Sequence, residues 1–317
     1  MKSEYIYILK YSMHMLLTIC GMDNESAATV LPIATSILIF IGGGLSKIFS
    51  DNVKRRKNVK SSRDIVFRWS EMTIDATNKQ IISLSDLAKG ISESTELIPE
   101  AFSFSRNMAD KLRDVSAERM TSLFVTNSRP KCGKEDMREK RAYNIVSSYD
   151  FLTAIQDDIR DKYEIYNKSC HSVIERWNAV MIKSQHDREN LNSFALESKA
   201  SSNNVNVSRT LNCLFNSYFD GRDRSHDGFK ERYEKFIKPL NDAVDKCKSD
   251  FPDATCGKAI YEDAREMLMI FEQWKENIKG YSAIFAKIAD NIQQSANSLA
   301  ESIDYFEKQT KVKCWCR

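Results

Sequence analysis

The chain has 317 residues and nearly balanced charge, with 47 Lys and Arg against 44 Asp and Glu for a net charge of +3. Its basic excess lies between Lys47 and Arg63, because residues 64–317 carry 38 basic and 40 acidic groups. A nearly neutral body without a basic stripe argues against a nucleic-acid-binding protein. The 5 prolines and 10 glycines are few for this length, which favours long helices over a turn-rich β architecture.

The first 26 residues form a short N-terminal segment that allows three interpretations. Tyr5–Met22 is apolar but is interrupted by Lys10 and His14. It is a second, poor membrane span, a signal peptide without a clear cleavage site, or a stretch that is not translated before Met22. The third is favoured because Met22-Asp-Asn-Glu-Ser reads as a natural N-terminus.

The next stretch, Ala27–Ser46, has 20 residues without a charged side chain and is followed by Lys47-Ile48-Phe49. An α-helix needs about 20 apolar residues to cross a bilayer. A buried core helix is the alternative, but it is usually shorter and has a polar stripe. We therefore expect one transmembrane helix over residues 27–49.

A basic juxtamembrane collar over residues 50–63 follows this stretch. Basic residues beside a span stay on the cytoplasmic side, where anionic lipid headgroups attract them. The pattern predicts a single-pass protein of the cytoplasmic membrane whose C-terminal domain is cytoplasmic. The residues expected to contact the membrane surface are Lys47, Lys54, Arg55, Arg56, Lys57, Lys60 and Arg63.

Three helices are predicted after the collar. The first runs from Ser61 or Ser62 toward Lys89, with an apolar face of Ile65, Trp69, Met72, Ala76, Leu84, Leu87 and Ile91. Ser92–Pro99 ends it. Pro99 suits the first position of the next helix, whose apolar face would be Phe102, Met108, Ala109 and Leu112. A short helix over Ala117–Val125 and a loop over Asn127–Gly133 follow.

Glu135–Asp187 contains the first of two heptad-like seams. Its apolar positions are spaced by three and four, with one position missing at Gln156. A helix of about 50 residues would be near 75 Å long. The aromatic members indicate core packing more than a ligand-stacking site. The positions are Ile145, Tyr149, Leu152, Ile159, Tyr163, Tyr166, Cys170, Val173, Trp177 and Val180.

A polar break over Ser198–Asn206 and a short helix over Val207–Phe219 come next. The loop Asp220–Gly228 gathers acids, arginines, Ser225 and His226. A Ser/His/Asp catalytic set is conceivable there, but triads converge from rigid elements, and Asx turns explain the same composition.

The second seam lies in the last helix, after a helix over Phe229–Lys248 that Pro239 would kink or divide and a turn over Asp250–Gly257. Gly280 is the expected point of a bend. The seam positions are Ala264, Leu268, Phe271, Trp274, Ile278, Tyr281, Phe285, Ile288, Ile292, Ala296, Leu299, Ile303 and Phe306.

The two seams predict the fold class. They can bury their apolar faces against each other as an antiparallel pair inside a bundle. A self-associating coiled coil is the rival, but dimeric seams prefer Leu, Ile and Val to aromatic residues. We expect an all-α protein with one N-terminal transmembrane helix, a cytoplasmic helical domain over residues 64–310 with coiled-coil-like seams, and a tail over residues 311–317.

Cysteine and histidine do not indicate a metal site. None of the eight cysteines forms a CxxC motif, and the four histidines do not complete a ligand set around Cys314 and Cys316. We expect reduced thiols in a cytoplasmic domain, with Cys170 in the core. No cofactor and no metal are predicted.

Several stretches resemble a diffuse group of uncharacterised bacterial single-span, membrane-anchored helical proteins. They are Leu123-Phe-Val-Thr-Asn127, Tyr143-Asn-Ile-Val-Ser-Ser-Tyr-Asp-Phe-Leu152, Tyr163-Glu-Ile-Tyr166 and Trp177-Asn178. The resemblance covers roughly residues 27–185 and implies a bacterial inner-membrane protein with a long helical cytoplasmic region. It implies no activity and no site residues.

Three functions are compatible with these observations. The first is a non-enzymatic interaction or scaffold protein anchored at the membrane, with a docking groove beside one of the seams. The second is a membrane-acting effector of bacterial defence or stress that oligomerises through its helical domain. The third is an enzyme whose site is assembled from distant residues. The expected partners are a bilayer with anionic headgroups and a protein, either another protein or a second copy of the chain.

Overall fold

The structure is a computed structural model that describes residues 24–105, 109, 122–125, 135–196, 202–219, 228–247 and 255–312. For residues 24–49 and a few helix ends it describes the backbone only. Every regular element of the described residues is helical. The helices are α1 Asn24–Glu93, α2 Glu135–Leu196, α3 Ser202–Phe219, α4 Phe229–Arg232, α5 Lys238–Cys247 and α6 Thr255–Val312, with a π-helical turn, Tyr233–Ile237, between α4 and α5.

The chain divides into two compact units, residues 1–66 and residues 67–317. In the first unit, α1 is continuous from Asn24, so the predicted helix start at Ser61 or Ser62 is wrong. Lys54, Arg55 and the neighbouring polar residues are exposed, as expected for a charged helix surface.

The predicted fold class requires a correction. Among the residues whose side chains are described, no helix combines the length and the apolar character that a membrane crossing requires. The described residues therefore form an all-helical fold in which no transmembrane helix is found. The backbone of residues 27–49 is helical, but their side chains lie outside the described residues, as do residues 1–23 and the three interpretations offered for them.

The second unit is built around the antiparallel pair of α2 and α6, which confirms that the two seams pack on each other. Near one end of the pair, Arg138 Nε donates to Gln309 Oε1 at 3.0 Å. Near the other end, Lys183 Nζ contacts Asp263 Oδ1. Residues further along α2 therefore contact residues nearer the start of α6, as an antiparallel pair requires. The pairing extends over about 45 residues, or roughly 70 Å of helix.

The α2 seam is buried nearly as the sequence predicts. Tyr163 and Cys170 are half-buried and the other predicted positions are buried. The missing position, Gln156, is also buried, and its amide donates to the carbonyl of Leu152 at 3.3 Å. In α6 the helix continues across Gly280 without interruption. The bend expected at this position stays a prediction.

The C-terminal part of α1 lies against this pair. The Ser70 and Tyr149 hydroxyls are hydrogen-bonded to each other, and Ser282 Oγ donates to the carbonyl of Ala88 at 2.8 Å. These contacts set α1 parallel to α2 and antiparallel to α6. Together the three helices form the part of the bundle that we call the three-helix end.

The face that α1 buries at the three-helix end is the predicted one at Leu84, Leu87 and Ile91, but it differs from the prediction toward the N-terminus. Ile65 and Met72 are exposed. After Val66, the buried positions are spaced by three and four like a seam, and the first four of them carry polar side chains. We call this set the polar seam: Ser70, Thr73, Thr77 and Gln80, followed by the apolar Leu84, Leu87 and Ile91.

The opposite part of the bundle, which we call the aromatic end, is assembled from α2, α3, α4, α5, the π-helical turn and α6. Several of its ring pairs are edge to face, as Phe229 and Trp274 are with centroids 5.3 Å apart, a geometry that aromatic quadrupoles favour. Others are stacked, as Tyr233 and Phe271 are with centroids 3.9 Å apart. Its buried aromatic residues are Trp177, Phe215, Tyr218, Phe229, Phe236, Phe271 and Trp274.

Pro239 explains the π-helical turn. A proline inside a helix lacks the N–H donor, and its ring clashes with the carbonyl four residues earlier. A wider turn over Tyr233–Ile237 precedes it and lets the helix continue to Cys247. At Pro239 the predicted kink or division thus takes the form of one wider, π-helical turn in a helix that continues to Cys247.

Three other boundaries differ from the predictions. Residues 99–105 are not helical, so a helix does not begin at Pro99. Helix α3 begins at Ser202 and α6 at Thr255, each within a predicted break. Residues 122–124 are helical, as expected for the end of Ala117–Val125, whereas residues 127–133 and 220–227 lie outside the described residues.

Candidate functional site

The candidate site is built around a non-helical segment, Ser94–Ser105, which bends at residues 96–98 and which we call the strap. It begins where α1 ends, with the Ser94 N–H donating to the Ile91 carbonyl at 3.2 Å. Pro99 lies in its middle and disfavours helical backbone in the residue before it. The strap belongs to no helix and no sheet. Its backbone N–H and carbonyl groups therefore need hydrogen-bond partners other than those of a helix or a sheet.

Two tyrosines of α2 satisfy both backbone groups of one strap residue. The Glu100 N–H donates to the Tyr166 hydroxyl oxygen at 3.0 Å. The Tyr163 hydroxyl donates to the Glu100 carbonyl, also at 3.0 Å. The burial of Tyr166 raises the pKa of its phenol, which keeps the hydroxyl protonated.

Other side chains of the bundle bind the strap at both of its ends. Trp274 Nε1 of α6 donates to the Glu96 carbonyl at 3.1 Å. On the α1 side, Ser83 Oγ donates to the Ser103 carbonyl at 2.8 Å. The backbone of the strap is thus held by side chains from three helices.

Two phenylalanines of the strap alternate with serines and contact α2. Phe102 lies against Tyr163, with ring centroids 5.1 Å apart. The Arg160 guanidinium lies over the Phe104 ring, 5.5 Å from its centroid, close enough for a cation–π interaction. The alternation places both rings on the side of the strap that faces α2, as in a β-strand.

The strap lies on the surface of the bundle, because every residue from 94 to 105 is either exposed or half-buried. A cavity of about 410 Å³ separates part of it from α1. We call this cavity together with the α2 surface under the strap the strap groove. The cavity is lined by Lys79, Ile82, Ser83, Asp86 and Leu87 of α1 and by Glu100, Ala101, Ser103 and Ser105 of the strap.

Gly228 fixes the first part of the strap to the aromatic end. A Cβ atom at Gly228 would lie 2.9 Å from both the Cβ and the carbonyl oxygen of Thr95. The next residue, Phe229, donates its N–H to that same carbonyl. Close backbone approach therefore explains why glycine stands at this position.

A second group of charged side chains lies between α2 and α6 at the aromatic end. The carboxyl group of Asp263 is 2% exposed and contacts Lys183 Nζ, which also lies 3.6 Å from Asp187. Burial raises the pKa of Asp263 to about 6, although Lys183 opposes the shift. The group thus places one cation, Lys183, beside two carboxylates, those of Asp187 and Asp263.

The predicted membrane-contact residues lie on α1. Lys54, Arg55, Arg56, Lys57 and Lys60 are exposed and Arg63 is half-buried, whereas the side chain of Lys47 lies outside the described residues. Their contact with a membrane surface, the anionic lipid partner and the location at a bacterial inner membrane stay predictions.

The remaining candidate residues are not brought together in the described part of the chain. Ser225 and His226, like Cys314 and Cys316, lie outside it. Across the described residues, no three His, Cys, Asp or Glu side chains meet in a way that could hold a metal ion. Cys170, Cys213 and Cys247 are free thiols.

Sequence analysis assigned the tyrosines of the α2 seam to the core and missed their second role. Tyr166 does pack in the core, edge to face with Phe285, but its hydroxyl binds the strap. Tyrosine in place of phenylalanine at two adjacent seam positions, 163 and 166, was the available signal, because a buried hydroxyl needs a partner.

Comparison with known proteins adds no functional information, since no family model, curated protein or solved structure matches the chain. The resemblance to membrane-anchored bacterial proteins therefore stays a prediction.

Proposed function

We propose that this chain is a non-enzymatic helical interaction protein that binds a protein partner at the strap groove. The observation that carries the proposal is the strap itself, which lies over a cavity of about 410 Å³ without burying any of its residues. Protein docking sites are concave and combine apolar surface with a few polar groups that fix orientation.

The chemistry of the cavity supports binding more than catalysis. Leu87 supplies a buried apolar wall, and Ile82 is 62% exposed at the edge. The charged groups Lys79, Asp86 and Glu100 lie among its lining residues. The described lining contains no histidine or cysteine, the residues that most often carry acid–base or nucleophilic chemistry near neutral pH.

Site-specific photo-cross-linking tests the proposal. A benzophenone amino acid replaces Ile82 in the full-length chain, expressed in the cells from which the chain comes. The matched control places it at Ile182 on α2, which is 70% exposed and outside the cavity lining. We expect a discrete adduct with one other protein from position 82 and none from position 182.

Two other outcomes are informative. An adduct of two copies of this chain at position 82 would make the partner a second copy, as the alternative of an oligomerising effector requires. Equal labelling at both positions, or no adduct at position 82, would contradict the proposed docking site.

A further inference from the structure

We propose that the ligand of the strap groove is an extended polypeptide with aromatic residues at alternating positions, and that the strap occupies the groove as a built-in competitor. This inference rests on the proposed function and specifies the partner's chemistry. The binding segment of the partner would replace the strap on Tyr163, Tyr166 and Arg160.

The first argument is that the groove binds the backbone N–H and carbonyl groups of the segment that occupies it. The hydroxyls of Tyr163 and Tyr166 bind the carbonyl and the N–H of the same residue, Glu100, each at 3.0 Å. A neighbouring β-strand satisfies a residue in the same way when a peptide extends a sheet. Contacts of this kind do not depend on the side chain at that position, so another extended chain can make them.

The second argument is that the groove discriminates side chains at alternating positions. Phe102 and Phe104 contact Tyr163 and Arg160, respectively, whereas the intervening Ser103 is exposed and bonds to α1 through its carbonyl. Extended segments present alternate residues to the surface that binds them. The groove therefore favours a segment of the form aromatic-x-aromatic.

The third argument is that the part of the strap on α2, residues 99–105, can leave without dismantling the core, whereas Leu97 at the start of the strap packs against the core of the aromatic end. None of its residues is buried, and the cavity shows that it does not fill the space over α1. Being part of the same chain, the strap has a high effective concentration at the groove. A partner segment must therefore bind more tightly than the strap or fill the cavity that the strap leaves open.

A labelled synthetic peptide with the sequence Ser94–Ser105 provides the test, with binding to the full-length chain measured by fluorescence anisotropy. The variant F102S/F104S weakens the strap and leaves the groove intact. The matched control is Ile98→Ser, since Ile98 belongs to the strap and is 69% exposed. Wild type and Ile98→Ser should bind the peptide weakly, and F102S/F104S should bind it at least about tenfold more tightly.

Hydrogen exchange of the Glu100 and Ser105 amides shows whether the strap has left. Both amides donate to side chains of the bundle, so they should lose protection in F102S/F104S and in wild type saturated with peptide. Unchanged protection in the double variant would overturn the proposal, because the two rings would not be holding the strap.

Two further results would also overturn it. One is equal binding of the peptide to wild type and to F102S/F104S. The other is equal binding of a peptide in which serine replaces both phenylalanines. Should the double variant fail to fold, peptide-induced loss of protection in wild type decides the question by itself.

Failure of this inference is distinguishable from failure of the proposed function. A partner adduct at Ile82 with no binding of the peptide would retain the docking site and reject an aromatic, extended ligand. Tight peptide binding without an adduct in cells would retain the recognition chemistry and reject a cellular protein partner at this site.

Discussion

Asp263 shows how the position of one residue decides its chemistry. It lies beside the two seams, on the face of α6 that meets Lys183 of α2, and its carboxyl group is almost wholly inaccessible to solvent. Burial disfavours the ionised form, so the pKa rises to about 6 even with a lysine in contact. Acidic groups with lowered pKa values stabilise folded proteins at neutral pH, and Asp263 has the opposite effect.

The variant Asp263→Asn should change the pH dependence of stability. The folded protein retains the Asp263 proton between the ordinary pKa of 3.8 and about 6, where the unfolded chain has lost it. This residue's contribution is therefore fully present below pH 3.8 and is lost as the pH rises through 6. Urea unfolding should show the free energy of unfolding of wild type, relative to the variant, falling between pH 4 and pH 6.

The exposed Asp290 provides the control for this measurement. The variant Asp290→Asn makes the same substitution on the same helix at an exposed position, so it shows what the loss of one surface charge does to the free energy of unfolding. If Asp263→Asn differs from wild type by a constant amount from pH 4 to pH 7, Asp263 is ionised throughout and the assigned shift is wrong.

At the scale of elements, the polar seam of α1 distinguishes this helix from α2 and α6. The Thr73 and Thr77 hydroxyls and the Gln80 amide nitrogen are buried and make no hydrogen bond to the described residues. A buried polar group without a partner costs about 1–3 kcal/mol. Helix α1 is therefore held less strongly along this part of its face than the apolar seams hold each other.

Replacing Thr77 by valine should stabilise the protein. Valine has nearly the same shape and a similar helix propensity, so the change mainly removes the buried hydroxyl. We expect the free energy of unfolding to rise by about 1 kcal/mol, measured by urea denaturation. The exposed Thr210→Val on α3 should change it by less than about 0.5 kcal/mol. A loss of stability in Thr77→Val would mean that the hydroxyl has a partner.

The elements also show what sequence patterns could and could not predict. Repeats of three and four predicted α2 and α6, because both helices bury apolar residues against each other. In α1 the same rule selected Ile65 and Met72, which are exposed, in place of the buried Ser70 and Thr73. A pattern of apolar residues cannot reveal a buried face made of small polar side chains.

The strap was beyond the reach of local patterns for a different reason. Pro99 suits the first turn of a helix, and the residues after it contain no helix breaker. The contacts that hold the segment in its non-helical course come from distant positions, such as Tyr166 and Trp274. The candidate site could therefore not be predicted from sequence, although the helices that frame it could.

At the scale of the molecule, the unit over residues 67–317 has two ends with different cores. The aromatic end buries rings from several helices against α2 and α6, whereas the three-helix end includes the polar seam. Local stability follows the amount of buried apolar surface and the density of its contacts. The two ends should therefore open with different free energies.

Native-state hydrogen exchange in low denaturant tests this difference. Amides of residues 73–80 in α1 should exchange through an opening reaction of lower free energy than amides of residues 173–180 in α2. We expect the opening free energies of the two sets of amides to become equal only near the denaturant concentration at the unfolding midpoint. A single free energy for both sets at all denaturant concentrations would show that the unit opens as one cooperative body.

The antiparallel pairing of α2 and α6 has a consequence for how the chain folds. Lys183 and Asp263 are separated by 80 positions, but Arg138 and Gln309 are separated by 171. Closing the longer loop first costs about 0.7 kcal/mol more in chain entropy than closing the shorter one. The pair is therefore expected to nucleate at the aromatic end and to proceed as a zipper, in which each contact shortens the loop that the next one has to close.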